Sequence, residues 1–265
     1  LLYLHVIHVL LVLLLVLKAL LVASVVKLVA SVVKLVASVV KVASVVKVAS
    51  VVKVLTLAAK VNLKIHKKMK TIVCYGDSNT YGYNPENGFR YEYEERWTTI
   101  LQKELKDSAI VIPEGLNGRT TSFEDELRPG RNGATYLDPC LHSHGPIDLV
   151  VLMLGTNDLK IRFQATPTDI GKGIDRLIKM IKSITPQKRQ DGRSAKILLM
   201  APPHLGDDLT EIPSGEEMGF ERGISYSKRL APIYEDWAKF HNIEFLDAAK
   251  YAKASEIDAC HLTRE

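Results

Sequence analysis

The sequence predicts an α/β domain built on a parallel sheet with helices on both of its faces. Short, near-continuous apolar runs recur along the chain, and stretches with the amphipathic period of a helix lie between them. Small polar clusters follow three of these runs, as expected where functional groups gather at the carboxyl ends of parallel strands.

The elements follow in order. Thr71 to Tyr75 (TIVCY) reads as a buried strand running into Gly-Asp-Ser-Asn, and Thr98 to Leu105 as an amphipathic helix. Ala109 to Ile112 is the second strand. Ile147 to Leu154 (IDLVVLML) is the longest apolar run of this part of the chain, and it ends in Gly-Thr-Asn-Asp, which makes it a central strand. A helix over Ile170 to Ile184, a strand over Ala195 to Met200, a helix over Ser225 to His241 and a strand over Ile243 to Leu246 complete the alternation. Two polar connections, Asn84 to Arg96 and Leu205 to Gly223, are long enough to shape a site or an oligomer contact.

This domain begins at Met69. Residues 1–68 differ in kind: they hold ten Lys and no Arg, Asp or Glu. From Ala23 they repeat as ASVVKLV twice and then ASVVKV three times, a period of seven followed by six. A step of six turns a helix by roughly 600°, and a step of seven flips the faces of a strand, so no single structure suits the repeat. Leu1 to Val26 is long and apolar enough to read as a membrane anchor, and the lysines that follow would keep the rest cytoplasmic. The reading adopted is instead translated upstream repetitive DNA ahead of a start at Met69, in a cytoplasmic protein.

The whole chain carries +5, so removing the leader's +10 leaves residues 69–265 at −5. Without a concentrated Lys/Arg stripe, nucleic-acid binding is not expected. Cys74, Cys140 and Cys260 are odd in number, widely spaced and outside any zinc-type spacing, which points to reduced thiols in packed surroundings.

Four polar clusters carry the chemistry. Gly76-Asp77-Ser78-Asn79 lies between strand and helix, where a serine can be presented at the sheet rim beside free main-chain N–H groups. Glu114 to Thr121 (EGLNGRTT) holds Gly118, which lets backbone approach a ligand, and Gly155 to Asp158 holds Asn157, whose amide can donate to a developing oxyanion. Asp258 precedes His261 by three residues, a spacing at which the carboxylate can accept from Nδ1 and leave Nε2 to take a proton from a serine. Taken singly, each cluster reads first as a turn or a cap; in conjunction they read as a site.

In that conjunction the chain resembles the SGNH hydrolases, the GDSL esterase/lipase superfamily. The name letters fall on Ser78, Gly118, Asn157 and His261, with Asp258 completing the triad and Asn79 where Gly-Asp-Ser-Leu is usual. GDSNTYGYNPENG, RWTTIL, EGLNGRTT, NGATYL and DLVVLMLGTND are similar to the branch containing the mycobacterial acyltransferase/arylesterase. The resemblance implies a flavodoxin-like three-layer α/β/α sandwich and an acyl-serine mechanism with no metal or organic cofactor. Ser78 would be the nucleophile, His261 the base and Asp258 its partner, with the N–H groups of Ser78 and Gly118 and the Asn157 amide as oxyanion hole. Asp77, Tyr81, Tyr83 and Trp97 are expected to border the substrate, Tyr81 and Tyr83 standing where the mycobacterial relative has tryptophans.

The expected substrate is a small-molecule ester with an acetyl-type acyl group, its acyl passing to water or to another alcohol. Alternatives are a carbohydrate deacetylase or lysophospholipase on the same fold, or a non-catalytic ester- or sugar-binding protein. The resemblance also implies self-association into homo-oligomers. The family continues past its histidine into a terminal helix, whereas this sequence stops at Glu265, so truncation of the domain at that end is expected.

Overall fold

The computed structural model describes residues 69–263. The leader, with its repeat and its anchor reading, lies outside the described residues. Five parallel strands form one sheet: β1 (Lys70–Gly76), β2 (Ala109–Gly115), β3 (Leu149–Met153), β4 (Lys196–Ala201) and β5 (Glu244–Asp247), in the order β2-β1-β3-β4-β5. All five strands anticipated from apolar runs are present, with no end moved by more than three residues.

Strand alternation divides the core in two. Val73, Tyr75, Val150, Leu152, Ile197 and Leu199 face one side, where they pack with α3 (Gly133–His144), α4 (Pro167–Ile184) and α7 (Leu230–His241). Ile72, Cys74 and Val151 face the other, against Trp97, Leu101 and Leu105 of α2 (Trp97–Leu105). Among the described residues α2 is the main helix on that second face, and Leu198 and Met200 there are half-buried.

Helix α4 shows why these segments are helical. Pro167 opens it, Thr166 and Asp169 form a reciprocal capping box, and Ile170, Ile174, Leu177, Ile178 and Ile181 lie on one buried stripe. Two helical expectations change. The helix expected over Ser225 to His241 is two helices, α6 (Glu221–Lys228) and α7, joined at Arg229. Pro232 explains the break, because it has no N–H to give to the carbonyl of Lys228 four residues earlier. Helix α3 was not anticipated, since Pro139 sits inside it. Its start is fixed by Asn132, whose side chain accepts from Ala134 N–H at 3.0 Å, and its face by Leu137, Cys140 and Leu141.

Register then sets the site. Gly76, the last residue of β1, is level with Gly115 of β2 and Met153 of β3, so the loops after three adjacent strands leave the sheet along one line. Ser78, Gly118 and Asn157 each fall within four residues of that line.

Candidate active site

Asp77 caps the single-turn helix α1 (Ser78–Tyr81), accepting Asn79 N–H at 3.0 Å, and Gly82 closes it in the left-handed conformation. The helix can sit over β2 only because residue 115 is glycine: a Cβ there would lie 2.1 Å from Tyr81 N. Ser78 is thus the first helical residue, at the rim of the sheet.

His261 arrives from the other end of the chain. Its Nε2 is 2.8 Å from Ser78 Oγ and its Nδ1 is 2.5 Å from Asp258 Oδ2. Asp258 Oδ1 accepts from Ser255 Oγ at 2.9 Å, Cys260 N–H at 3.1 Å and His261 N–H at 2.9 Å, which closes the three-residue turn. Burial would raise this carboxyl, but the hydrogen bond and charge of His261, with the two N–H donors, outweigh it and hold the group down at about 2. An ionised Asp258 only accepts, so Nδ1 carries the imidazole proton and Nε2 faces the serine hydroxyl as an acceptor.

Gly118 has φ +83°, and its N–H donates to no group among the described residues. Asn157 opens the short helix Asn157–Leu159, and its Nδ2 donates to Arg119 O at 3.1 Å. Beside it the fully buried Asp158 accepts from Thr121 N–H at 2.9 Å and from Thr121 Oγ1 at 2.5 Å, clamping the loops after β2 and β3 together. Burial pushes that carboxyl up to about 7, against the pull of the Thr121 donors.

Ser78, Gly118, Asn157, Asp258 and His261 all line one cavity of about 370 Å³. Of the four residues expected to border the substrate, Tyr83 lines this cavity, its ring 4.3 Å from that of His261. Asp77, Tyr81 and Trp97 are not among its lining residues. Asp77 is 1% exposed and spends its side chain on the cap, Tyr81 lies under the Arg90 guanidinium at 4.2 Å, and Trp97 packs on the second core while its Nε1 donates to Asn79 O at 3.1 Å.

The cavity also has walls that the sequence did not single out. Lys160, nearly buried, meets Glu217 at 3.1 Å, and Arg162 holds Glu217 as well as Asp125, the latter at 2.8 Å. Glu217 belongs to α5 (Gly215–Met218), within the long connection flagged from Leu205 to Gly223; that length was the available signal. Cys260 borders the cavity, while Cys74 and Cys140 are buried, their thiols pushed up to about 12 by burial.

Among the described residues, one set of side chains has the reach of a metal site: donor atoms of Glu114, Cys140 and His144 lie within 4.8 Å of one another. Its members are otherwise engaged. Glu114 is hydrogen-bonded to His144 Nε2 at 2.6 Å, and the Cys140 thiol is held protonated by burial.

A serine, a histidine and an aspartate joined in line at the carboxyl rim of a parallel sheet define a serine-hydrolase architecture. The comparisons agree. The model of the GDSL-like Lipase/Acylhydrolase family matches residues 74–265, and the chain belongs to that family. A carbohydrate acetylesterase family member from Sinorhizobium meliloti is 40% identical, with TM-score 0.69, over 74% of this chain and 91% of that one. The aryl esterase of M. smegmatis is 36% identical with TM-score 0.68, over the same shares. A putative arylesterase from Agrobacterium tumefaciens is 39% identical with TM-score 0.66, again over 74% and 91%. Among curated proteins no match was found. Among the described residues no helix is long and apolar enough to cross a membrane.

Proposed function

We propose that the protein is a serine esterase that removes short, acetyl-type acyl groups from carboxylic esters through an acyl-serine intermediate. The observation that carries the reading is the unbroken line from Asp258 through His261 to Ser78 Oγ at the wall of a cavity.

In this mechanism Ser78 Oγ attacks the ester carbonyl while His261 Nε2 takes its proton. The resulting imidazolium is stabilised by Asp258 and then protonates the departing alcohol. The carbonyl oxygen, now anionic, is met by the N–H groups of Ser78 and Gly118 and by the Asn157 amide. Water, activated by the same histidine, releases the acid and restores the serine. An alcohol in place of that water would carry the acyl group away as a new ester.

A cavity near the lower end of the usual range for ligand sites, narrowed by Tyr83 over His261, favours small acyl groups. A second reading, deacetylation of a carbohydrate, is favoured by the wall formed by Asn117, Arg128, Lys160, Ser214 and Glu217, which offers donors and acceptors to a hydroxyl-rich alcohol.

The test is hydrolysis of p-nitrophenyl acetate and p-nitrophenyl palmitate by the full chain and by Ser78→Ala, with acetate release from a peracetylated monosaccharide measured in parallel. Acetate turnover that vanishes in Ser78→Ala is expected. Turnover surviving in that variant would reject the serine mechanism, and equal use of palmitate would reject the short-chain assignment.

A further inference from the structure

Arg119 directly follows Gly118 and is only 2% exposed, a rare location for an arginine. Its Nη1 donates to Gly76 O at 2.9 Å and to the carbonyl of Glu114. The guanidinium carbon lies 4.2 Å from the ring centroid of Tyr75 and 5.2 Å from that of Tyr136, two rings that are themselves stacked. The Glu114 carboxylate is engaged by His144 Nε2 and by the Tyr136 hydroxyl, and the guanidinium itself is met by carbonyls and ring faces. It stays there although its Nε has no hydrogen-bond partner. At the same residue, the main-chain carbonyl accepts Asn157 Nδ2–H at 3.1 Å.

We infer that Arg119 is the positioning residue of the oxyanion hole. It ties the end of β1, two residues before Ser78, to the loop that carries Gly118, and its own carbonyl aims the Asn157 amide. The inference rests on the proposed roles of Ser78, Gly118 and Asn157. Its physical content lies in the tolerance of such a hole, whose donors must lie about 2.7–3.1 Å from an oxygen position that exists only in the transition state. Donors that drift lose transition-state stabilisation and leave ground-state binding alone, so the loss falls on kcat and not on KM.

The experiment compares Arg119→Lys, Arg119→Met and Tyr136→Leu with the unaltered chain, using p-nitrophenyl acetate for kcat and KM and phenylboronic acid as a tetrahedral mimic for the affinity of the hole. Lysine keeps the charge and loses the planar guanidinium that lies over the Tyr75 ring and carries Nη1 to both carbonyls. Expected for Arg119→Lys is a fall in kcat of about tenfold or more, KM within about twofold, and boronate affinity falling by the same factor as kcat/KM. Arg119→Met is expected to lose more than Arg119→Lys. Tyr136 is 41% exposed, so its replacement tests the same device with little risk to the fold; a two- to fivefold loss in kcat, on the order expected for a weakened cation–π contact, should appear.

A folded Arg119→Lys with unchanged kcat, or one whose kcat falls while boronate affinity holds, would overturn the inference. If the arginine variants do not fold, an unchanged kcat in Tyr136→Leu overturns it. Failure of the underlying esterase reading looks different: a Ser78→Ala chain that keeps its turnover overturns both readings, whereas a dead Ser78→Ala beside an unchanged Arg119→Lys overturns this inference alone.

Discussion

Asn79 Oδ1 accepts the N–H of Leu262 at 2.9 Å, so the residue after the serine holds the residue after the histidine. The same asparagine gives its main-chain carbonyl to Trp97 Nε1 and sends Nδ2 toward Cys260 O at 3.5 Å. The departure from Gly-Asp-Ser-Leu therefore has a use: an amide brackets His261 from both sides, where leucine would offer no hydrogen bond.

Asn79→Leu, which restores the usual motif, is accordingly expected to weaken this enzyme. Leu262 N–H loses its acceptor, at about 1–2 kcal/mol of stability. The histidine segment gains freedom, and kcat/KM for p-nitrophenyl acetate should fall roughly tenfold through misplacement of the base. Urea denaturation and steady-state kinetics on the same sample check both parts.

Asp77→Asn tests the buried cap. Burial raises the Asp77 carboxyl to about 6, with the Asn79 N–H and the nearby His261 and Arg119 charges pulling the other way. A carboxyl raised in the fold binds its proton more tightly there than in the unfolded chain. Its contribution is thus most favourable below about pH 4, is lost as pH rises from about 4 to 6, and is constant above. Asparagine keeps the Oδ1 acceptor for the cap and removes the charge. The variant should match the parent near pH 4 and exceed it by on the order of 2–3 kcal/mol at pH 8 in urea denaturation. A difference that does not change with pH would refute this.

For Asp258→Asn the sign reverses. This carboxyl is held down at about 2, so its stabilising contribution is complete above the ordinary carboxylate range and is lost only as pH falls from about 4 through 2. It stays charged across the working range, and an acid limb in kcat/KM at mildly acidic pH does not come from it. The amide would donate to Nδ1 and leave the proton on Nε2, the wrong tautomer for taking a proton from Ser78. A fall in kcat of about 10³–10⁴ is expected, with little change in the main-chain bonds to Oδ1.

Trp97→Phe separates packing from substrate contact. The indole is outside the cavity, so KM for p-nitrophenyl acetate should stay within about twofold, while loss of the hydrogen bond to Asn79 O costs about 1 kcal/mol. A large rise in KM would return Trp97 to the substrate wall.

Most of the site was legible because its parts are tied to strand ends. Ser78, Gly118 and Asn157 follow apolar runs that could scarcely be anything but buried parallel strands, and level register does the rest. The pocket walls were not legible, since direction cannot be read from nearness in sequence. Tyr81 and Tyr83 are two residues apart, yet the turn at Gly82 sends one under Arg90 and the other onto His261. The pairing of Lys160 with Glu217 joins separate loops and leaves no spacing to find. Among the helices, the errors sit at prolines: Pro139 hid a helix that Asn132 and its buried face support, and Pro232 divided one that the periodicity had run together.

Ser78 and His261 touch across 183 residues of chain. On a ribosome adding about 5–20 residues per second, that interval amounts to roughly ten to forty seconds in which the serine exists and its base does not. During synthesis the hydroxyl is an ordinary alcohol, inert toward the esters around it. Reactivity toward esters requires that the His261 segment be made and folded back onto Ser78, so the chemistry itself reports that these two distant stretches have come together.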